Sequence, residues 1–459
     1  MTGWGEHQRT APHARRHGHP DRGPVTELAH DPYTPQSGDP TFGVESYDLR
    51  IGYRVRTNRL EGVATLHAVA HVALRAFTLD LVGLRATRVR VNGEARTSYR
   101  PGPRKLRVVP VAPIAAGERF TVEVVYAGQP APRRSRWGAI GWEELDDGAL
   151  VAAQPTGAPT WFPCNDRPAD RARYRLEITT EDGYETAATG TPSAPVRRGG
   201  TVTTTFASDT PTATYLAAVH IGRYRTTPLA GTGVAAVPTV RVSAPPALRE
   251  AVASAFADVP RMLRVFGEAF GPYPQADCAL VVTDDVLEIP LEAQGLAVFG
   301  SNHLAPASQR LVAHELAHQW FGNSVGLARW EDIWLNEGFA CYAEWVWSEA
   351  SGSTSAAALA ASYHARLAAE PQDLVLADPG PDRMFDDVVY KRGALTLHAL
   401  RTLLGDETFF RMLRDWTAVH RHRTVVTDDF RRAVATAGGA AAVAQLGAWI
   451  DRTPLPPLG

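Results

Sequence analysis

The sequence predicts an α+β protein with two folded domains, an all-β domain followed by a mixed domain that becomes mainly helical. Its 459 residues exceed what one hydrophobic core usually supports. In the first half, apolar residues recur at every second position within short runs, which is the period of half-buried strands. From about residue 228 the runs lengthen and the period becomes helical. We therefore expect the domain boundary between residues 227 and 228.

The segment before the first domain, residues 1 to 40, is expected to be a flexible tail. It is rich in Pro, Gly, His and Arg and has no apolar period. Several of its histidines could contact a metal weakly, but no spacing among them forms a closed ligand set: His7, His13, His17 and His19. A solvated tail is therefore the prediction.

Residues 41 to 227 are predicted to form the all-β domain. From Tyr47 to Val55 apolar residues fall at every second position, as in a strand with one buried face. Similar short runs follow at 65–74, 77–82, 89–91, 106–109 and 120–126. The stretch from Ala153 to Pro168 differs, because its turn formers and aromatics predict a shaped loop rather than a strand.

Residues 228 to 459 are predicted to form the mixed domain. Short apolar runs at 239–242, 278–283 and 296–299 indicate strands, and the stretch from Pro246 to Phe270 indicates one long helix. Helical patterns dominate the remainder. We therefore expect a small sheet followed by a group of helices.

One stretch of the second domain carries a pattern that suits a metal ion. His314 and His318 are four residues apart, so on an α-helix both imidazoles leave the same face about one turn apart. Glu315 lies beside them, where its carboxylate can reach a water on the metal without ligating the metal. A catalytic zinc takes three protein ligands, and Glu337 is the best candidate for the third.

An ordinary amphipathic helix with two surface histidines would give the same five-residue pattern. The neighbouring residues oppose that interpretation, because the three polar residues, His314, Glu315 and His318, lie among apolar side chains. Such a trio would be unfavourable on a buried helix unless a metal and hydrogen bonds satisfied it. The metal site is therefore the preferred interpretation.

The run His-Glu-Leu-Ala-His-Gln-Trp-Phe-Gly-Asn, followed by Trp-Leu-Asn-Glu-Gly-Phe-Ala, resembles the gluzincin zinc aminopeptidases, the family of aminopeptidase N and leukotriene hydrolase. His318 and Glu337 have eighteen residues between them, as in that family. The resemblance implies one zinc per chain, held by His314, His318 and Glu337, with Glu315 as general base. It also implies a saddle-like N-terminal β domain, a thermolysin-like zincin catalytic domain, and a short form without the C-terminal helical domain of larger relatives.

Three further residues carry over from the resemblance. Gln154 corresponds to a glutamine in the substrate's N-terminal pocket, although Thr156 replaces a glutamate that is common two residues later. Glu292 corresponds to the glutamate that pairs with a free α-ammonium, in Ile-Pro-Leu-Glu-Ala where the family has Gly-x-Met-Glu-Asn. Tyr390 corresponds to the tyrosine that hydrogen-bonds the oxyanion, followed by Lys-Arg instead of Glu-Lys. Each residue also has an alternative interpretation without a role in the site. Gln154 could be a surface amide, Glu292 a solvated acid on a loop, and Tyr390 a tyrosine that only packs.

An acid is also expected to support one of the ligating histidines from behind. Glu344 lies seven residues after Glu337, two helical turns on and on nearly the same face. We expect its carboxylate to hydrogen-bond an imidazole that holds the metal. Asp332 is the competing candidate, and either acid could instead be a surface residue.

The composition is typical of a soluble globular protein without a nucleic-acid partner. Apolar residues make up 44%, charged residues 21%, and the net charge is −2. No apolar run reaches the eighteen or so residues of a membrane span and no secretory signal core is present, so we expect a cytoplasmic monomer without membrane contact. Cys164, Cys278 and Cys341 are expected to be reduced, since three distant cysteines do not suggest a disulfide framework.

Together these residues predict a zinc aminopeptidase that hydrolyses N-terminal residues from peptides with a free N-terminus. A zinc endopeptidase or an epoxide hydrolase could use the same scaffold. An inactive scaffold protein is an alternative of another class. That alternative is disfavoured because the three ligands, Glu315 and Tyr390 are all present.

Overall fold

The computed structural model describes residues 28–231 and 238–458, which form an N-terminal β domain and a mixed C-terminal domain. The strands from residue 42 to residue 228 are, in chain order, β1 (Phe42–Arg54), β2 (Arg59–Ala70), β3 (Phe77–Asp80), β4 (Arg85–Val91), β5 (Ser98–Pro101), β6 (Lys105–Val109), β7 (Arg119–Gly128), β8 (Arg133–Ser135), β9 (Gly138–Leu145), β10 (Gly148–Ala152), β11 (Arg171–Glu181), β12 (Glu185–Ala188), β13 (Thr191–Pro192), β14 (Val196–Arg198), β15 (Thr201–Ala213), β16 (Val219–Gly222) and β17 (Arg225–Pro228).

Alternating burial builds the β domain. Its largest sheet has the order β13-β15-β11-β1-β2-β7-β4, with β14 also paired to β15. Strands β1 and β2 are antiparallel, with Tyr47 opposite Leu66, whereas β1 and β11 are parallel. Tyr47, Leu49 and Ile51 are buried, which confirms the predicted alternation. Two smaller sheets have the orders β12-β16-β10-β9-β8 and β3-β6-β5, and the loop with Gln154 begins where β10 ends.

The mixed domain combines a small sheet with helices. Its elements are β18 (Val240–Ala244), α1 (Arg249–Ala255), α2 (Val259–Phe270), β19 (Cys278–Val282), β20 (Leu291–Ala293), β21 (Leu296–Phe299), α3 (Gln309–Ala317), β22 (Gly326–Leu327), α4 (Trp334–Ser351), α5 (Ala356–Ala368), α6 (Asp387–Leu404), α7 (Asp406–Val419), β23 (Thr424–Val425) and α8 (Thr427–Ile450). The sheet order is β17-β18-β19-β21-β20, so β20 is an edge strand.

The sheet of the mixed domain lies between two hydrophobic cores. On β19, Leu280 and Val282 belong to the core of the helical half, whereas Ala279 and Val281 pack into the core of the β domain. A strand buried on both faces reads as a continuous apolar run, as this one does. The two domains therefore meet across this sheet, next to the strand that carries Glu292.

The helix predicted from Pro246 to Phe270 is wrong as a single element. A 3₁₀ turn at Pro246–Leu248 and helix α1 come first, and α2 starts separately at Val259. Pro260 stands in the first turn of α2. Proline is tolerated there but breaks a helix interior, because it lacks an N–H and its ring clashes with the preceding turn.

The predicted tail is too long, and the domain boundary lies earlier than expected. Asp31 accepts a hydrogen bond from the backbone N–H of Trp330 at 2.8 Å, and the Tyr33 hydroxyl hydrogen-bonds Asp378. Specific polar contacts hold this segment, which an apolar period could not reveal. Residues 1–27, with their four histidines, lie outside the described residues.

Strand β17, which was expected to belong mainly to the β domain, instead pairs with β18 of the mixed domain.

Among the residues that the structure describes, one helix, α8, is long and apolar enough by length and composition to be considered as a membrane span. Its backbone is non-helical at Gly439, which divides it into two pieces of eleven or twelve residues. Each piece is roughly 17 Å long, well short of the ~30 Å hydrocarbon layer. Phe430, Leu446 and Trp449 are buried in the core of the helical half.

Candidate metal centre and substrate site

Helix α3 and the residue after it present two imidazoles to one point. His318 follows the last residue of α3 and keeps helical backbone angles, φ −56° and ψ −23°. The four-residue spacing therefore places the rings of His314 and His318 side by side, with their centroids 4.8 Å apart. Both side chains are buried.

Helix α4 brings Glu337 to the same point. One of its carboxylate oxygens lies 3.6 Å from His314 Nε2 and 3.4 Å from His318 Nε2. Tetrahedral zinc ligands with bonds of 2.0–2.1 Å are about 3.3 Å apart. The three donor atoms are therefore spaced so that His314, His318 and Glu337 could hold a zinc ion together.

The other ring nitrogens are held so that both Nε2 atoms face this point. His314 Nδ1 donates to Glu344 at 2.9 Å, and His318 Nδ1 donates to the carbonyl oxygen of Phe321 at 3.0 Å. A carbonyl can only accept, so His318 carries its proton on Nδ1 and leaves a lone pair on Nε2. Asp332 makes no such contact and accepts from the backbone and hydroxyl of Thr427.

Buried carboxylates give the centre a strong preference for positive charge. Burial would lower the pKa of His318, but Glu292 and Glu337 outweigh it and raise the pKa above its ordinary value. Burial would raise the pKa of Glu337, but the two imidazoles outweigh it and lower the pKa. A divalent cation held by these groups would supply the positive charge that they stabilise.

Glu315 lies beside the ligands without joining them. It is buried, and one of its oxygens has no hydrogen-bond partner within the described protein. Burial raises the pKa of its carboxyl group. A buried carboxylate oxygen without a partner is unfavourable unless a water or substrate group meets it.

Gln154 and Glu292 come together although 138 residues separate them in the chain. Gln154 Nε2 donates to a carboxylate oxygen of Glu292 at 2.8 Å. Carboxylate oxygens of Glu292 and Glu315 lie within 4.8 Å of each other and of a His318 ring nitrogen. The pair therefore stands at the rim of the metal centre. Thr156, which departs from the family pattern, accepts a hydrogen bond from Arg133.

A set of buried amides that the sequence reasoning missed fixes the strand of Glu292. Gln319 and Asn323 both donate to the carbonyl oxygen of Ala293, at 3.1 and 2.7 Å. The Gln319 side chain also accepts from the N–H of Gly295 at 2.9 Å. The small Ala293 side chain is buried, and its backbone carries the contact. The signal was available, because both amides belong to the His-Gln-Trp-Phe-Gly-Asn run.

Tyr390 lies in the first turn of α6, above His314. The two rings are stacked, with centroids 6.0 Å apart. Burial and nearby carboxylates raise the pKa of Tyr390 well above its ordinary value, so the hydroxyl stays protonated and can donate. Gly393, one turn later, contacts Gly338 of α4, and this contact sets the height of Tyr390 over the ligands.

The comparisons with known proteins agree with this geometry. The family model for the peptidase M1 N-terminal domain matches residues 44–216, and the model for the peptidase family M1 domain matches residues 254–449. The chain is 28% identical to human endoplasmic reticulum aminopeptidase 1 over 83% of its own length and 44% of the relative. It is 29% identical to aminopeptidase M1-A from rice over 67% of its length and 37% of the relative. It spans less than half of these curated relatives.

A solved structure matches both domains together. It is a variant of the M1 zinc metallopeptidase from Deinococcus radiodurans bound to a Tyr-Ser-Ala substrate, with a TM-score of 0.85 and 32% identity. The match covers 92% of this chain and 97% of that one. The two domain matches and this near-complete structural match show that the chain belongs to peptidase family M1.

Proposed function

We propose that this protein is a zinc-dependent aminopeptidase that removes N-terminal residues from peptides. The observation that carries the proposal is the hydrogen-bonded pair of Gln154 and Glu292 at the rim of the ligand set. A carboxylate at that position can pair with a free α-ammonium and stop the substrate after its first residue. The edge position of β20 supports the same reading, since an extended peptide can pair with a free strand edge.

The chain's own residues would divide the remaining work. When bound at His314, His318 and Glu337, zinc supplies Lewis-acid activation of water and of the scissile carbonyl. Glu315 accepts the proton of the attacking water and passes it to the leaving amine. The Tyr390 hydroxyl donates a hydrogen bond to the carbonyl oxygen as negative charge develops on it.

A zinc endopeptidase is the second candidate, because the same ligand set and general base would serve it. The two differ in what Glu292 does, since an internal peptide bond brings no ammonium group to its carboxylate. An epoxide hydrolase on this scaffold would require acid-assisted ring opening at the same centre. An inactive scaffold is disfavoured by the complete donor set and the unpartnered oxygen of Glu315.

The test is a panel of aminoacyl fluorogenic amides, assayed with and without a chelator and after zinc is added back. We expect hydrolysis that the chelator abolishes and zinc restores. Turnover of internally quenched peptides with blocked ends, but not of the amides, would contradict the aminopeptidase proposal and favour the endopeptidase. Hydrolysis of an epoxide without any amide turnover would favour the epoxide hydrolase.

We also propose a cytoplasmic location and a monomeric state. All three cysteines are buried free thiols, which suits a reducing compartment. Fractionation of cells that express the full protein, and light scattering of the purified chain, test these two points.

A further inference from the structure

Arg392 lies two residues after Tyr390 and is almost completely buried, with 2% of its surface exposed. No carboxylate pairs with it among the residues that the structure describes. Instead its guanidinium group donates to five backbone carbonyl oxygens, those of Trp449, Leu374, Thr453, Arg452 and Pro454. A guanidinium group has five N–H donors, so its capacity is filled.

The Arg392 guanidinium group supplies a donor to each of these carbonyls. Trp449 is the last residue but one of α8, so its carbonyl has no partner inside the helix. Carbonyls at a helix C-terminus carry partial negative charge, which suits a cation. Burial lowers the pKa of Arg392 to about 10, so the group remains a cation at neutral pH.

The Arg392 guanidinium group and its five carbonyl partners, called the clamp below, lie beside the N-terminal part of α6. Tyr390 is in the first turn of α6, where the side chain of Asp386 caps the backbone N–H of Val388 and the helical hydrogen bonds only begin. Residues 390 and 392 point about 200° apart around a helix, so the guanidinium lies away from the zinc ligands. Arg392 can therefore influence the chemistry only through the position of the helix backbone.

We propose that Arg392 is a positioning residue, which holds the first turn of α6 against the segment from Trp449 to Pro454 so that Tyr390 reaches the oxyanion. The inference rests on the proposed function, because it assigns Tyr390 the task of stabilising that charge. The five acceptors match the five N–H donors of a planar guanidinium group. A lysine has three donors on a flexible chain and leaves at least two of the five carbonyls without a side-chain partner.

The test compares Arg392→Lys with Arg401→Lys, a matched control on the same helix. Arg401 lies three turns beyond Tyr390 and pairs with the carboxylates of Glu349 and Asp406, at 2.9 and 2.8 Å. We expect Arg392→Lys to lower kcat by about 10- to 100-fold with KM and zinc content unchanged. Arg401→Lys should leave kcat within about twofold of the parent.

A double-mutant cycle distinguishes positioning from general stability. In a Tyr390→Phe background, Arg392→Lys should change kcat by less than about twofold, because the hydroxyl that the clamp positions is absent. An equal loss of kcat in both backgrounds would overturn the proposal. So would a loss of zinc, which would place the effect at the ligands.

A measurement that does not depend on activity separates this inference from the proposed function. In the zinc-loaded full chain, Arg392→Lys should speed amide hydrogen exchange on the order of tenfold in residues 387–396 and 449–455. Unchanged exchange in those residues would overturn the clamp even if the enzyme is active. If exchange is faster in Arg392→Lys but the parent hydrolyses no aminoacyl amide, the clamp is supported and only the aminopeptidase proposal is contradicted.

Discussion

Gly338 and Gly393 contact each other through main-chain atoms where α4 crosses α6. A Cβ on Gly338 would lie 2.8 Å from the Cα of Gly393, and a Cβ on Gly393 would lie 2.6 Å from the Cα of Gly338. Real Cβ contacts are essentially never that short. Gly338 follows Glu337, one of the three candidate metal ligands, and Gly393 is one turn beyond Tyr390. The contact therefore sets the distance between the ligand set and the tyrosine.

The first prediction concerns this crossing. Gly393→Ala should lower the free energy of unfolding by about 1–3 kcal/mol, because the methyl group overlaps the facing backbone, and kcat should fall as Tyr390 moves. Gly267→Ala on α2 is the control, since a Cβ there meets nothing within 4 Å. It should be neutral or stabilising by up to about 1 kcal/mol. Chemical denaturation and kcat measure both variants, and equal stability for the two would contradict the close approach.

The second prediction separates metal binding from proton transfer. Glu315→Gln should retain zinc and lose about 10²- to 10⁴-fold in kcat, because an amide cannot accept the proton. His318→Ala should lose the zinc, since it removes one of three ligands. Elemental analysis and kinetics on both variants provide the measurement. Near-normal turnover by the glutamine variant would show that Glu315 is not the base.

The third prediction concerns the hydroxyl of Tyr390. Tyr390→Phe should lower kcat about 10²-fold or more with little change in KM, as for the loss of one oxyanion donor. Tyr363→Phe is the control, because its ring stacks on Trp345 and its hydroxyl makes no hydrogen bond to any residue within 28–231 and 238–458. An unchanged kcat for Tyr390→Phe would assign that residue to packing.

The fourth prediction concerns the support of His314. Glu344→Ala should weaken zinc binding about 10- to 100-fold, because the imidazole loses the carboxylate that orients it. Asp332→Asn is the control, since that acid contacts Thr427 and no ligand. Competition against a chelator of known affinity measures both. A larger loss of zinc affinity for Asp332→Asn would reverse the assignment.

The fifth prediction concerns the end of the substrate that the site recognises. Acetylation of a peptide's N-terminus should lower kcat/KM by about 30- to 10³-fold, equal to ~2–4 kcal/mol, because the carboxylate of Glu292 loses its cationic partner. Glu292→Ala should abolish most of that difference. Equal rates for free and acetylated peptides in the parent enzyme would eliminate the aminopeptidase proposal.

The sequence by itself determined the features that depend on one element. The four-residue spacing of His314 and His318 predicted their shared helix face, and the seven-residue spacing of Glu337 and Glu344 predicted theirs. Alternation predicted the strand around Tyr47. Such periods are local, because one helix or strand fixes the direction of each side chain regardless of its partners. The break between α1 and α2 was also local and could have been predicted, because Pro260 favours the start of a helix.

Only the tertiary structure decided which distant groups meet. It paired Gln154 with Glu292, placed Gly393 against Gly338, and gave Asp31 the N–H of Trp330 as a partner. It also shows that Glu344, the candidate preferred from the sequence, and not its competitor Asp332 lies within hydrogen-bond distance of His314. These contacts depend on how sheets and helices pack against each other, and packing geometry leaves no period in the chain.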